Sequence, residues 1–142
     1  MLFRSKAVGL ARWATAFTRT HLLAPHQSGV TLGTREGVRL RYADMRIRTY
    51  AARAMLYRTA RLAESGANAV NESIACKVFA TETVGDVVDT AIQLAGGKAL
   101  TVGHPLERLY SEVRALRIAE GANDVLRLNL VRGDLDLHKG LL

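Results

Sequence analysis

The apolar and small residues in the middle of the chain recur at intervals of three and four, the spacing that places side chains on one face of an α-helix. A first stripe of this kind consists of Val38, Tyr42, Met45, Thr49, Ala52, Leu56, Thr59 and Ala63. A second stripe consists of Val70, Ile74, Val78, Thr81, Val84, Val88, Ala91 and Ala95. Gly66 follows the first stripe and a double glycine, residues 96–97, follows the second, as helix ends require. The link around residues 65–68 is so short that it predicts an antiparallel hairpin.

Weaker patterns predict further helices on both sides of this hairpin. The first runs from Ser5 to about Leu23, and residues 29–37 are expected to form a compact non-helical connection. Pro105 suits the first turn of a fourth helix, because its missing N–H would be unpaired there in any case. The apolar residues of that helix are Leu106, Leu109, Tyr110, Val113 and Leu116.

The last predicted helix begins near Asn123 or Asp124 and ends at Gly133, and residues 134–142 are expected to fray. Its apolar residues are Val125, Leu128 and Val131. No segment alternates as a strand between hairpin turns would. The predicted fold class is all-α, an antiparallel up-and-down helical bundle of three long helices plus two short C-terminal ones, with residues 1–142 as one domain.

Composition narrows the possible functions. The net charge of +7 makes nucleic acid a binding partner to consider. The basic residues are scattered, however, and no basic run is interleaved with aromatics, so no nucleic-acid partner is expected. The single cysteine, Cys76, excludes an internal disulfide and is expected to be buried. The histidines lack metal-ligand spacing and no stretch approaches the ~20 apolar residues of a membrane span, so neither a metal nor a membrane-spanning segment is expected.

The beginning of the chain allows two interpretations. Arg4, Lys6, Arg12 and Arg19, with no acidic residue before Glu36, resemble an organelle transit peptide. The same residues fit an ordinary helix of the domain. The pattern alone does not decide between them.

Two segments interrupt the helical pattern. The first is Gln93-Leu94-Ala95-Gly96-Gly97, where a double glycine exposes backbone N–H groups and lets a ligand or another chain approach closely. A plain helix C-cap explains it as well, and the pattern alone favours that interpretation.

The second segment is Glu120-Gly121-Ala122, a carboxylate in a loop of small residues just before a helix. Such a carboxylate can simply offset the positive end of the helix dipole, a contribution of ~0.3–1 kcal/mol. It can also act as a general base, provided that its pocket raises its pKa toward the working pH. The sequence pattern leaves both roles open.

The order and spacing of these motifs resemble the acyl-CoA dehydrogenases. That family has Gln-x-x-Gly-Gly, then Pro-x-Glu-Arg/Lys-Leu, then Glu-Gly-Thr, and the chain has Gln93-Leu94-Ala95-Gly96-Gly97, Pro105-Leu106-Glu107-Arg108-Leu109 and Glu120-Gly121-Ala122. Upstream, Tyr42-Ala43-Asp44-Met45 and Ala51-Ala52-Arg53 resemble the family's second long helix, and Ala7-Val8-Gly9-Leu10-Ala11 resembles its first. The resemblance covers residues 6–133 and favours the domain helix over the transit peptide. The expected location is therefore the cytoplasm rather than the mitochondrial matrix.

The resemblance implies a flavin-dependent oxidoreductase that desaturates an acyl-CoA thioester to its trans-2-enoyl form. Glu120 would remove the α-proton while the β-hydrogen leaves as hydride to FAD. The backbone N–H of that glutamate would help to stabilise the thioester oxygen, as in an oxyanion hole. The implied FAD contacts are Gln93, Leu94, Ala95, Gly96 and Gly97, often across a subunit interface, and Gly121, Ala122, Asn123 and Asp124 of the same subunit. The family is also implied to form dimers or tetramers and to pass electrons to an acceptor protein.

The chain departs from the family's pattern at several positions. The Arg-x-x-Phe-Gly motif, whose arginine reaches FAD of the neighbouring subunit, is Pro25-His26-Gln27-Ser28-Gly29 here. Where the family next has Gln, this chain has Glu36. It has Ala122 in place of the family's Thr after Glu-Gly, and Ser111 in place of the family's Arg after Leu-Tyr. These changes define an alternative, a non-catalytic helical oligomerisation module of a degenerate family member that no longer binds FAD. In either case the family's N-terminal helical and β-barrel domains are missing, so the chain is expected to be inactive alone, as a fragment or as a subunit that needs a partner.

Overall fold

A computed structural model describes residues 2–26, 28–138 and 142, and most of these residues are helical. The five helices are α1 (Leu2–Leu23), α2 (Glu36–Glu64), α3 (Val70–Ala95), α4 (Pro105–Leu116) and α5 (Asn123–Leu135). Two short 3-10 turns, Leu32–Thr34 and Gly97–Leu100, lie in the connections. Within the described ranges there is no β-strand, and the predicted all-α bundle of three long and two short helices is confirmed.

The helix ends follow the local chemistry of the sequence. Gly66 and Gly96 end α2 and α3 with φ angles of 78° and 81°, a left-handed region that favours glycine. At the start of α4, Pro105 occupies the first turn, and the Nδ1 atom of His104 accepts a hydrogen bond from the N–H of Leu106 at 3.2 Å. The predicted stops after the two stripes and the predicted start of α4 are therefore confirmed.

Two predicted helix boundaries are wrong by a few residues. Helix α1 begins at Leu2 rather than Ser5, and α5 continues through Gly133 to Leu135. A glycine inside an exposed helix costs only about 1 kcal/mol relative to alanine, which is not enough to end the helix there. Residues 134 and 135, assigned to a frayed tail, are helical, whereas residues 139–141 of that tail lie outside the described ranges.

Helix α3 is the centre of the molecule, because it packs against α1, α2, α4 and α5. The middle of each predicted stripe is buried. The buried members are Met45, Thr49, Ala52 and Thr59 of α2 and Thr81, Val84, Val88 and Ala91 of α3. Helix α1 buries Ala7, Val8, Ala11 and Ala14, which confirms the domain-helix interpretation of the first residues. Cys76 is fully buried, as predicted, and burial raises the pKa of its thiol.

The apolar face of α5 differs from the prediction. Val125, Leu128 and Val131 are all at least half exposed, whereas Leu126 and Leu130 are half-buried. Among the described elements, α5 packs only against α3. A helix with one neighbour can bury only a narrow strip of its surface, so the remaining apolar side chains face outward.

The connection between α1 and α2 is compact, as predicted, but residues 29–37 are not all non-helical, because residues 32–34 form a 3-10 turn and α2 already begins at Glu36. A Cβ atom added at Gly33 would lie 2.9 Å from the carbonyl oxygen of Leu22. Only glycine therefore permits this close approach of the connection to the end of α1.

Candidate functional site at the turn between α4 and α5

The turn that carries Glu120 reverses the chain between α4 and α5 through two left-handed residues. Glu120 has a φ of 53° and Gly121 a φ of 95°. The N–H of Asn123 donates to the carbonyl oxygen of Arg117 at 2.9 Å, which closes the loop. Glycine adopts this conformation freely, but for a residue with a Cβ atom it costs of the order of 1 kcal/mol. The conformation of Glu120 must therefore be imposed by contacts elsewhere in the turn.

Glu120 itself is exposed, and its carboxylate accepts no hydrogen bond from the described part of the chain. The N–H groups of Glu120, Gly121 and Ala122 likewise find no acceptor within the described ranges. Ala122 is the N-cap of α5 and has no side chain with which to cap it. The turn thus presents a carboxylate together with several available backbone donors at the start of a helix.

A buried polar cluster lies beneath this turn. The Nζ atom of Lys77, on α3, donates to the carbonyl oxygen of Gly121 at 2.8 Å and to Oδ1 of Asn123 at 2.7 Å. Nδ2 of Asn123 donates to Oγ1 of Thr81 at 3.0 Å and to Oε1 of Glu82 at 2.7 Å. Lys77, Thr81 and Asn123 are all buried. The polar atoms of Asn123 are therefore paired inside the protein, and its amide fixes the start of α5 to α3.

Arginine side chains extend the cluster toward the surface. Glu82 forms ion pairs with Nε of Arg117 at 3.0 Å and with an Nη of Arg127 at 3.3 Å. Arg117 follows α4 and Arg127 belongs to α5. The carboxylate of Glu82 on α3 therefore binds residues on both sides of the turn. A Cβ atom added at Gly85 would lie 2.3 Å from an Nη of Arg117. The glycine makes room for this guanidinium against α3.

The charges in the cluster shift the pKa values of its members. Burial lowers the pKa of Lys77, and the negative charges of Glu120 and Glu82 oppose this effect without cancelling it. For Glu82, burial acts to raise the pKa, but the Asn123 hydrogen bond and the charges of Arg117 and Arg127 outweigh burial and lower it. The Glu120 carboxylate is therefore close enough to Lys77 to interact with its charge.

The other predicted segment, residues 93–97, lies at the far end of α3. Lys77 and Gly96 are 19 positions apart, which corresponds to roughly 28 Å along a helix. Gln93, Gly96 and Gly97 are exposed, whereas Leu94 is buried, so only part of the segment offers side chains or backbone to a ligand. The structure thus does not bring the two predicted segments together within this chain.

Gly97 has no structural reason to be glycine within this chain. Its φ lies outside the left-handed region, and a Cβ atom added there would meet nothing within 4 Å. Space is therefore open above the backbone at this point. An open, side-chain-free backbone is what close approach by a phosphate group or another chain requires.

Four of the positions that depart from the family's pattern are on the surface. Pro25, Ser28, Glu36 and Ser111 are exposed. Gln27, which belongs to the same segment as Pro25 and Ser28, lies outside the described ranges. A further departure, Ala122, is half-buried and lies in the turn that carries Glu120.

The sequence pattern did not identify Lys77 as part of the candidate site. A signal was present, because Lys77 lies three residues after Ile74 and four before Thr81 and thus falls on the stripe that faces the core. A lysine at such a position either reaches the solvent or is buried with hydrogen-bond acceptors for its ammonium group. Its partners are 44 and 46 residues away, and no local pattern connects them.

Comparison with known proteins assigns the fold. The family "Acyl-CoA dehydrogenase, C-terminal domain" matches residues 1–134, and the chain belongs to this family. The chain is 33% identical over 129 residues to a probable acyl-CoA dehydrogenase, FadE25, of Mycobacterium tuberculosis, covering 90% of this chain and 33% of that protein. It is 30% identical over 128 residues to an acryloyl-CoA reductase (NADH) of Anaerotignum propionicum, covering 90% of this chain and 32% of the relative. The chain therefore spans about one third of the length of these curated relatives.

Solved structures share the helical arrangement. The butyryl-CoA dehydrogenase of Megasphaera elsdenii superposes with a TM-score of 0.89 at 23% identity, covering 96% of this chain and 35% of that one. An FAD complex of PigA superposes with a TM-score of 0.87 at 27% identity, with the same coverage. In the described residues of this chain, no helix is both long and apolar enough to cross a bilayer, and no cluster of potential metal ligands occurs.

Proposed function

We propose that the chain is the C-terminal helical part of a flavin-dependent acyl-CoA dehydrogenase, in which Glu120 is the base that removes the α-proton of an acyl-CoA thioester. The observation that carries the proposal is the turn between α4 and α5. Its carboxylate is exposed on a backbone conformation that costs energy, and a buried cluster supports that conformation from below. A carboxylate that only offset the helix dipole would not need such support.

The groups of the turn suit proton abstraction next to a thioester. The carboxylate of Glu120 would take the α-proton, and the unpaired N–H groups of the turn would donate to the thioester oxygen as negative charge develops on it. FAD, when bound, supplies the acceptor for the β-hydrogen, which leaves as hydride. The remaining domains of the enzyme would have to exclude water, because Glu120 is exposed in this chain.

Two surfaces of the chain would hold the cofactor. Gly96 and Gly97 leave open space above their backbone, which fits a diphosphate in close approach. Gly121, Ala122 and the exposed Asp124 would lie along the same subunit's flavin, with Asn123 acting through the backbone because its side chain is buried. The large separation of these surfaces along α3 agrees with two FAD molecules in an oligomer, each touched by one segment.

The proposal includes the partners that such an enzyme needs. The acyl-CoA substrate would bind against the turn that carries Glu120. Further copies of the chain or a subunit with the missing domains, and an electron-acceptor protein, would bind to other surfaces of the bundle. The apolar residues on the outer face of α5 provide one surface for such contacts. These residues are Val125, Leu128, Val131 and Leu135.

A second candidate is a helical oligomerisation module without FAD. It is favoured by the residues that replace the family's flavin contacts, since Pro25 brings no positive charge and Ala122 no hydroxyl group. This candidate predicts a colourless complex when the chain is joined to flavin-binding domains. The first candidate predicts a yellow one.

A chimera tests both candidates. Residues 1–134 replace the superposable C-terminal third of the Megasphaera elsdenii butyryl-CoA dehydrogenase, and the purified protein is assayed for bound flavin and for oxidation of butyryl-CoA. We expect a yellow chimera that oxidises butyryl-CoA. Glu120→Gln should lower kcat by at least about 10³-fold, because the amide cannot take up a proton, with flavin content unchanged.

The control is Glu107→Gln in the same chimera, which removes a carboxylate of α4 and should leave kcat within about twofold. Equal turnover of the Glu120→Gln and parent chimeras would overturn the role of Glu120. A folded but colourless chimera would favour the module without FAD.

A further inference from the structure

Burial of the ammonium group of Lys77 lowers the stability of the fold unless the contacts of that group compensate for it. Only 2% of the residue is exposed, on a helix whose neighbouring buried positions are Cys76, Ala80 and Val84. Moving an ammonium group out of water is energetically unfavourable, and a protein with an apolar side chain of similar size in its place is often as stable or more so. The lysine therefore does something that packing alone does not demand.

The hydrogen bonds of Lys77 show where its effect is directed. Both go to oxygens of the turn, the carbonyl of Gly121 and the side-chain amide of Asn123, at 2.8 and 2.7 Å. These two residues lie one and three positions after the left-handed residue Glu120. The ammonium group thus holds the backbone on the C-terminal side of the carboxylate.

The N-terminal side of the turn is held by the same helix. Arg117 pairs with Glu82, which lies five positions after Lys77 on α3. Glu120 lies between these two fixed points and has a φ of 53°. A rotation about the backbone that relaxed Glu120 would have to break one of the two attachments.

We infer that Lys77 is a positioning residue, whose buried ammonium group fixes the turn that presents Glu120. The inference rests on the proposed role of Glu120 as the base. Lys77 would act on the reaction by keeping the carboxylate of Glu120 in one place.

A measurement on the unaltered 142-residue chain tests the contact directly. In a protein labelled with ¹³C and ¹⁵N, an ammonium nitrogen that donates to a carbonyl shows a scalar coupling across the hydrogen bond. We expect a slowly exchanging Nζ signal of Lys77 that couples to the carbonyl carbon of Gly121. A Lys77 signal without this coupling, or one that exchanges as fast as those of exposed lysines, would overturn the inference whatever Glu120 does.

Variants test the consequence for the turn. The one-bond Cα–Hα coupling of Glu120 reports the sign of φ, and we expect Lys77→Met to lose the left-handed value. Lys98→Met is the matched control, since it removes the same charge from the exposed 3-10 turn and should leave the coupling unchanged. Should Lys77→Met not fold, the Nζ measurement on the unaltered chain still decides.

The chimera described above tests the consequence for the reaction. Lys77→Met should lower kcat for butyryl-CoA by roughly tenfold to a hundredfold with little change in KM, because the base is misplaced rather than the substrate lost. A purely structural role for Lys77 would instead lower the yield of folded, flavin-containing chimera and leave kcat per bound flavin unchanged.

These measurements distinguish the role of Glu120 as the base from the role of Lys77 in positioning it. If Glu120→Gln is as active as the parent chimera, the proposed base is wrong, while the Nζ coupling still reports whether Lys77 holds the turn. If Glu120 is required but Lys77→Met changes neither the Glu120 coupling nor kcat per bound flavin, the positioning role is wrong.

Discussion

Glu82 links the protonation state of the protein to the stability of the turn. Its pKa is below the ordinary carboxyl value of 4.5, since the Asn123 hydrogen bond and the charges of Arg117 and Arg127 outweigh the opposite effect of burial. A carboxyl whose pKa is lower in the folded state stabilises that state at pH values above its unfolded pKa. This stability is lost as the pH falls through the lower, folded-state value. Glu82→Gln should therefore flatten the decrease in the free energy of unfolding between about pH 5 and pH 3.

Urea unfolding followed by circular dichroism at a series of pH values measures this effect. At pH 7 the substitution should cost about 1 kcal/mol, because a partly exposed ion pair and a hydrogen bond are lost. Glu64→Gln, at the exposed end of α2, serves as the control and should keep the acid slope of the unaltered chain. An unchanged slope in Glu82→Gln would contradict the assignment.

At the scale of the helix, α5 begins without a side-chain cap. Ala122 occupies the N-cap position with φ −56° and ψ 139°, and no side chain accepts from the first N–H groups. Ala122→Thr supplies a hydroxyl oxygen for an N–H of the first turn and should raise the free energy of unfolding by about 1 kcal/mol. The same substitution restores the residue that the acyl-CoA dehydrogenase pattern has at this position.

Ala122→Val is the matched control, since valine has the shape of threonine without its hydroxyl group. It should give no increase in the denaturation midpoint. Equal midpoints for the threonine and valine variants would show that the hydroxyl does not cap α5.

The elements also show what the sequence could and could not reveal. The stripes of α2 and α3 were predictable, because these helices have neighbours on more than one side and bury the faces that the periodicity marks. The apolar residues of α5 follow the same periodicity, but the helix rests on α3 alone, and Val125, Leu128 and Val131 stay exposed. Periodicity identifies a face and does not say what covers it.

The candidate site was predictable to a similar extent. Glu120 and its glycine stood out as a break in the helical pattern, and the family resemblance gave the carboxylate a role. The support beneath it did not stand out, because Lys77 and Asn123 are 46 residues apart and meet only after the bundle has formed. Local patterns contain no information on such a pair.

At the scale of the molecule, the bundle has a core of its own but no enclosed pocket around Glu120, which is exposed. The purified chain should therefore fold and yet not oxidise octanoyl-CoA in the presence of FAD and an artificial electron acceptor. Proton abstraction requires a substrate that is oriented and shielded from water, and under the proposed function the described residues would supply only one side of such a site. Measurable turnover above the background of a Glu120→Gln sample would contradict this expectation.

The junction of Lys77 with Asn123 also constrains how the protein can change over generations. Replacing the lysine alone removes the donor to the Gly121 carbonyl and one of the two donors to the Asn123 amide oxygen, and replacing the asparagine alone removes one of the two acceptors of the ammonium group. Each single substitution should lower the stability of the fold more than the two substitutions together. Lys77 of α3 and Asn123 at the start of α5 should therefore change together in evolution. A lineage that gave up chemistry at Glu120 would be free to exchange both for apolar residues.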